Sequence, residues 1–149
     1  MKIALGADHA GYDLKAHLGE LLRQWGHEVV DLGTTSATES VDYPDFGAAV
    51  GRAVASGECD LGVAVCGSGI GISIAANKVA GVRAAVVHDV TSAHLAREHN
   101  HANVLCLGSR LTGTSVAEEA LAAWLAASPQ GGRHEGRIAK IADLDEQNF

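Results

Sequence analysis

The sequence is poor in aromatic residues and in positive charge. Aromatic side chains make up 4% of its 149 residues, too few for a platform on which nucleic-acid bases stack. The formal net charge of −7 disfavours nonspecific binding to nucleic acids and to anionic membranes. No apolar run approaches the length of a membrane span, and the first residues have a strand-like pattern rather than that of a signal peptide. We therefore expect no nucleic-acid and no membrane partner.

Cysteine is also scarce, and its three positions form no familiar framework. Cys59, Cys66 and Cys106 include no C-x-x-C pair and no His-rich spacing typical of metal ligands. Unpaired cysteines are typical of a reducing compartment, so we expect a cytoplasmic protein. Because the spacing of metal ligands is missing, we also expect no metal ion. Cys106 lies in an apolar run and is expected in the core. Cys59 lies between two acidic residues and is expected near the solvent.

Glycine, in contrast, is abundant, and the most informative segment is LGVAVCGSGIG at residues 61–71. An apolar run ends at Cys66, and the next five residues alternate Gly with Ser68 and Ile70. This pattern predicts a buried strand, a glycine-rich turn and the start of a helix. The N–H groups of such a turn bind anions and favour the thiolate form of a nearby cysteine. Cys66 is therefore a candidate catalytic residue, against the alternative of a small side chain in the core. For the glycine-rich turn itself, the alternative is a tight turn that only permits close packing.

The glycine-rich turn lacks the signatures of three common phosphate-binding sites. A G-x-G-x-x-G motif requires glycine where Ile72 or Ile74 stands, and a phosphatase-type C-x5-R loop requires arginine at position 72. A P-loop would end in Gly-Lys-Ser/Thr, which is absent here. These departures disfavour dinucleotide, nucleoside triphosphate and phosphocysteine chemistry, and we expect no cofactor.

Strand-like and helix-like patterns alternate five times along the chain. The predicted strands lie at residues 3–5, 29–32, 61–65, 82–87 and 104–107. This alternation predicts an α/β protein with a parallel sheet covered on both faces, in one domain over residues 1–149. Thr91 or Ser92 is predicted to cap the fourth helix, and Ser115 with Glu118 forms a capping-box pattern for the fifth. A sixth helix, near 138–142, packs either on its own chain or on a partner subunit.

Ligands of parallel α/β sheets bind at the carboxyl ends of the strands, and polar residues follow these ends here. Asp8 and His9 follow the first strand, and Arg110 follows the fifth. His9 and His99 are candidates for acid–base chemistry near neutral pH, against the alternative of solvated surface histidines. Arg133 and Arg137, spaced i, i+4, share one helical face that either binds phosphate or is simply solvated.

Five segments resemble one known family. They are GADHAGYDLK (6–15), DYPDF (42–46), CGSGIGISIAANK (66–78), REHNHANVLCLGSR (97–110) and GGRHEGR (131–137). Together they resemble the type B ribose-5-phosphate isomerases, a family that also includes allose- and galactose-6-phosphate isomerases. The resemblance implies a three-layer α/β/α, Rossmann-like fold with a five-stranded parallel sheet and an extra C-terminal helix. It also implies a homodimer or a dimer of dimers whose active site is shared between subunits.

The resemblance also implies roles for particular residues. Cys66 matches the catalytic base, and His99, from the neighbouring subunit, matches the group that assists ring opening. Ser68 and the amides of the glycine-rich turn would stabilise the intermediate. Ile72 stands where another branch of the family has a glutamate base, so the cysteine branch fits. The positions that match ligand contacts are Asp8, His9, Gly67, Ser68, Gly69, Ile70, Gly71, Asn100, Arg110, Arg133 and Arg137, the last two for the phosphate.

The implied reaction is the interconversion of D-ribose 5-phosphate and D-ribulose 5-phosphate through a cis-enediolate, a step of the pentose phosphate pathway that needs no metal or cofactor. Three alternatives stay open. In the first, the substrate is a six-carbon sugar phosphate, such as allose 6-phosphate or galactose 6-phosphate, or a free sugar. In the second, the chain is a flavodoxin-like binding module, and in the third it is a non-catalytic subunit of a two-chain enzyme.

Overall fold

A computed structural model describes residues 1–147, in which five strands alternate with helices and a sixth helix follows. The strands are β1 (Lys2–Ala7), β2 (Glu28–Asp31), β3 (Leu61–Cys66), β4 (Ala84–Val86) and β5 (Val104–Gly108). The helices are α1 (Tyr12–Gln24), α2 (Tyr43–Ala55), α3 (Ile70–Asn77), α4 (Val90–Asn100), α5 (Thr114–Ala126) and α6 (Arg133–Glu146). Over these residues, none of the helices has the length and apolar character that crossing a membrane requires.

All five strands are parallel, in the order β2-β1-β3-β5-β4. The chain moves outward from β1 to β2 and then crosses to the other side of β1 to form β3. Ala7 is in register with Val65, and Cys66 with Gly108, so the carboxyl ends of β1, β3 and β5 meet at one edge. Such a reversal of strand order opens a crevice at this edge.

Helices cover both faces of the sheet because the central strands are apolar on both sides. On one face, strand residues such as Leu5, Val63 and Leu105 pack against α1, α4 and α5. On the other face, Ala4, Ala64 and Cys106 pack against α2 and α3. Each large apolar side chain buried in this way stabilises the fold by about 1.5–3 kcal/mol. The predicted three-layer α/β/α fold, with its parallel sheet and extra C-terminal helix, is confirmed.

Three local predictions were wrong. Asp89, rather than Thr91 or Ser92, caps α4, because its Oδ1 accepts a hydrogen bond of 2.6 Å from the Ser92 amide. The N-cap of α5 is Gly113, so Ser115 lies inside the helix, and Glu118 binds His17 of α1 instead of closing a capping box.

The third wrong prediction concerns Cys59, which is buried rather than near the solvent. Its amide donates to the carbonyl oxygen of Ala53 at the end of α2, which turns the side chain into the core on that face of the sheet. Burial raises the pKa of the Cys59 thiol, and the negative charge of Glu58 raises it further. An apolar setting therefore outweighs the acidic neighbours in placing this residue.

Candidate active site

A cavity of about 630 Å³ opens at the carboxyl edge of β1, β3 and β5. It lies at the reversal of strand order, the position expected for a ligand in such a sheet. Its walls are formed by Asp8, His9, Ala10, Tyr43, Cys66, Gly67, Ser68, Ile70, Gly71, Ile74, Arg110 and Leu111. Eight of the residues predicted from the sequence therefore meet here, and a ninth, Gly69, lies buried directly behind the wall.

Cys66 is the last residue of β3 and is 4% exposed. Its Sγ accepts a hydrogen bond from the Gly69 amide at 3.1 Å, and Gly69 is the N-cap of α3. The amides and the dipole of a helix N-terminus favour negative charge, so the Gly69 amide and the start of α3 form a setting that suits an anionic group. Of the three cysteines, Cys66 alone lines the cavity. Cys106 lies in the core, where burial raises the pKa of its thiol.

The turn that follows Cys66 requires glycine at particular positions. Gly69 has a φ of +77°, and a Cβ there would lie 2.8 Å from the carbonyl carbon of Leu107. On β5, a Cβ on Gly108 would lie 2.4 Å from the carbonyl carbon of Ser68. The turn and β5 therefore pack backbone to backbone, and this contact brings the Gly69 amide to the sulfur.

Two further contacts hold the turn against the chain that leaves β5. The Ser109 amide donates to the carbonyl oxygen of Cys66, and the Arg110 amide donates to that of Gly67, both at 2.9 Å. The Arg110 side chain lies over Gly67, where a Cβ would be 3.4 Å from its Cδ, Nε and Cζ atoms. A guanidinium group is thereby placed at the cavity wall, where it favours an anionic ligand.

Asp8 and His9 enter the cavity from the end of β1. Asp8 is buried, and its Oδ1 accepts a hydrogen bond of 3.0 Å from the Gly11 amide. His9 is partly buried, and its Nδ1 accepts a hydrogen bond of 3.2 Å from the Val41 amide. An accepting Nδ1 leaves the proton of the neutral ring on Nε2.

Tyr43 lines the cavity, and the sequence had not indicated it as a site residue. Its ring lies over Gly71, where a Cβ would be 2.6 Å from Cε2 and Cζ. Tyr43 is the first residue of α2 and precedes Pro44, a context that suggests only a helix start. The segment DYPDF held the relevant pattern, but nothing in its spacing linked it to residue 71. Tyr43, Ile70, Ile74 and Leu111 are all exposed, and we call them the apolar rim.

Besides Gly69, four predicted residues do not line this cavity: His99, Asn100, Arg133 and Arg137. They lie at the end of α4 and the beginning of α6, and we call them the α4–α6 group. His99 stacks on His134 with 4.3 Å between ring centroids and 10° between planes. Its Nε2 lies 3.8 Å from Glu98 Oε1. The sequence-predicted site is therefore divided between two places on one chain.

His134 is a second residue that the sequence analysis missed. It is buried at the start of α6, and its Nε2 lies 3.0 Å from Gln130 Oε1. Burial lowers the pKa of His134, and the charges of His99, Arg133 and Arg137 lower it further. The α4–α6 group therefore brings two guanidinium groups close to this ring, and guanidinium groups can bind a phosphate.

Known proteins similar to this chain are sugar phosphate isomerases by name. The Ribose/Galactose Isomerase family matches residues 3–141. Ribose-5-phosphate isomerase B of Escherichia coli K12 is 47% identical over 146 residues, which cover 98% of this chain and 97% of that protein. The galactose-6-phosphate isomerase subunit LacB of Clostridium acetobutylicum is 43% identical over 143 residues, covering 96% of this chain and 82% of that protein.

A solved structure has the same fold over its whole length. Ribose-5-phosphate isomerase B of Clostridium thermocellum superposes with a TM-score of 0.98 and 51% sequence identity, and the match covers 100% of both chains. Because the two chains agree in length and sequence as well as in fold, their similarity is not limited to the fold. This chain belongs to the Ribose/Galactose Isomerase family.

Proposed function

We propose that this chain interconverts D-ribose 5-phosphate and D-ribulose 5-phosphate. Its family membership makes it an aldose–ketose isomerase, and relatives named ribose-5-phosphate isomerase B match nearly its whole length. The observation that carries the proposal is the contact between Cys66 Sγ and the Gly69 amide, inside the cavity at the strand ends. It supplies a sulfur base next to amide donors, the two elements that proton transfer on a sugar requires.

In the proposed mechanism, the Cys66 thiolate removes the proton from C2 of the open-chain aldose. Negative charge then develops on the C1 oxygen of a cis-enediolate, and the amides of residues 67–71 and the Ser68 hydroxyl stabilise it. The sulfur returns its proton to C1 while a proton passes from the C2 oxygen to the C1 oxygen, which gives the ketose. Loss of one such donor typically costs about 3–4 kcal/mol of transition-state stabilisation.

We further propose that the site is completed by a second copy of the chain, in a homodimer or a dimer of dimers. The α4–α6 group does not line its own cavity, and the apolar rim around that cavity is exposed. In a two-fold assembly, one subunit's α4–α6 group faces the other subunit's cavity. The partner subunit's His99 would then assist ring opening, and Asn100, Arg133 and Arg137 of the partner subunit would bind the substrate and its phosphate.

A panel of substrates tests this function. Ribose 5-phosphate, allose 6-phosphate, galactose 6-phosphate and free ribose are assayed for ketose formation, with no added metal or cofactor. We expect the highest kcat/KM with ribose 5-phosphate and little turnover of free ribose, because binding energy from the phosphate positions the reacting carbon. Equal rates with ribose and ribose 5-phosphate would contradict a phosphate-binding role for the arginines.

A six-carbon sugar phosphate is the second candidate substrate. The 43% identity to a galactose-6-phosphate isomerase subunit favours it. In the same panel, a higher kcat/KM for allose 6-phosphate or galactose 6-phosphate would establish this alternative. Absence of activity with all four compounds, in a folded protein expressed alone, would favour a binding module or a non-catalytic subunit.

A further inference from the structure

Lys15 is a buried cation that the proposed mechanism does not use. Its side chain is 1% exposed, and Nζ donates hydrogen bonds of 2.7 Å to Asp31 Oδ1 and to the carbonyl oxygen of Thr34. Nζ also lies 5.3 Å from the centroid of the Tyr12 ring, within range of a cation–π interaction. Burial of an ammonium group is costly unless such partners offset it. The arrangement therefore indicates a specific task for this side chain.

The two acceptors of Lys15 are the last residue of β2, Asp31, and Thr34 in the segment that leads to α2, and this part of the chain is bonded to β1. Asp31 Oδ1 accepts a second hydrogen bond, of 2.9 Å, from the Gly33 amide. The Ala7 amide donates to the carbonyl oxygen of Gly33, and the Thr34 amide donates to that of Ala7, both at 2.8 Å. Lys15 thus holds the segment against the last residue of β1, directly before the cavity residues.

The other end of this segment contacts the cavity. The Ser36 hydroxyl accepts hydrogen bonds of 3.1 Å from the amides of Thr38 and Glu39, a turn that leads the chain toward Val41. The Val41 amide then donates to His9 Nδ1 at 3.2 Å. This contact leaves Nε2–H as the donor that His9 offers to a ligand.

We propose that Lys15 is a positioning residue for this site. By anchoring residues 31–34, it fixes the start of the segment whose other end places the Val41 amide on His9 Nδ1, and so holds His9 as a hydrogen-bond donor to an acceptor oxygen of the sugar phosphate. The identity of that ligand rests on the proposed isomerase function. The orientation and tautomer of His9 do not depend on the proposed function.

The first test is kinetic and uses Lys15→Met, which keeps the unbranched stem and removes the three donors. A displacement of about 1 Å at a positioned group costs roughly 10²-fold in rate, so we expect kcat/KM to fall by about 10- to 100-fold, largely through KM. The matched control is Leu22→Ala, which removes a fully buried side chain from the same helix. This control should lose thermal stability but keep the wild-type kcat/KM when it is assayed at a temperature well below its melting temperature.

The second test measures the His9 ring directly by long-range ¹H–¹⁵N NMR, with the signal assigned by its loss in His9→Gln. We expect the Nε2–H tautomer in the wild type and a mixture of tautomers in Lys15→Met. If Lys15→Met does not fold, Asp31→Ala replaces it, because Asp31 is 45% exposed and its removal leaves no buried void.

Each outcome decides the proposal. An Nδ1–H tautomer in the wild type overturns it, and so does a folded variant with the wild-type tautomer and wild-type kcat/KM. A tautomer change in a protein that isomerises none of the sugars supports the positioning role while it refutes the proposed function.

Discussion

At the scale of single residues, the three cysteines differ in what surrounds the sulfur. Cys59 and Cys106 are enclosed by apolar side chains, and burial raises the pKa of both thiols. Cys66 shares that core cluster but ends its strand at the cavity, where the Gly69 amide contacts its sulfur. The backbone of the turn therefore gives the proposed base surroundings that the two core cysteines lack.

Gly69→Ala tests the part played by this backbone. The left-handed φ of +77° and the 2.8 Å approach to Leu107 leave no room for a methyl group, so we expect a loss of at least about 2 kcal/mol in the free energy of unfolding. The displaced amide should also lower kcat by roughly 10²-fold or more. Urea unfolding and the isomerase assay measure both effects.

Gly113→Ala is the matched control, because a Cβ at Gly113 meets no atom within 4 Å and its φ is −65°. Because Gly113 is the N-cap of α5 and glycine caps a helix better than alanine does, the variant should lose about 1 kcal/mol at most in the free energy of unfolding, and its kcat should stay unchanged. Equal behaviour of the two variants would show that the turn does not depend on glycine at position 69.

The residues in and around the candidate site divide into those that a sequence pattern reveals and those that only the fold reveals. Cys66 and the glycines were predictable because strand, turn and helix start are adjacent in sequence. Tyr43 was not, because its contact with Gly71 joins elements 28 residues apart. His134 was hidden for the same reason, since its stacking with His99 depends on how α6 packs on α4.

At the scale of elements, the strands were predictable and the helix caps were not. Apolar runs such as residues 61–65 and 104–107 indicate buried strands because both of their faces are covered. A cap depends on the residue at which the chain turns into the helix. After β4 the chain enters α4 at Asp89, two residues before the predicted Thr91. Several residue types that can cap lie close together there, and only the backbone selects one.

Asp89→Ala tests the cap of α4. Its carboxylate accepts the Ser92 amide at the helix N-terminus, so its loss should lower the free energy of unfolding by about 1 kcal/mol, within a range of roughly 0.5–2. Ser115→Ala is the comparison, because Ser115 lies inside α5 and makes no cap; its effect should stay within about 0.5 kcal/mol. A larger effect at Ser115 than at Asp89 would restore the original capping-box prediction.

At the scale of the whole molecule, the order of strands determines which residues meet. Because β3 lies next to β1 while β2 lies on its other side, Asp8 and Cys66 share one cavity although they are 58 positions apart. The alternation of strands and helices predicts a parallel sheet but not this order. The separation of the α4–α6 group from the cavity likewise becomes visible only when the fold is known.

Subunit complementation tests the proposal that two subunits share each site. Cys66→Ala and His99→Asn are each expected to have little activity with ribose 5-phosphate. When the two variants are unfolded together and refolded, half of randomly formed dimers are hybrids, and each hybrid has one intact site out of two. Activity should therefore recover to about a quarter of the wild-type value. No recovery, with hybrid dimers demonstrated by native mass spectrometry, would place His99 and Cys66 in the same subunit's site.

The most direct test of the central claim is the kcat/KM of Cys66→Ala for ribose 5-phosphate, with Cys106→Ala as the matched buried-thiol control. If Cys66 is the base, its substitution should lower kcat/KM by at least about 10³-fold while the circular dichroism spectrum stays unchanged, because the proton at C2 then loses its proposed acceptor. Cys106→Ala should keep its activity. A folded Cys66→Ala variant whose kcat/KM lies within tenfold of the wild-type value would contradict the account.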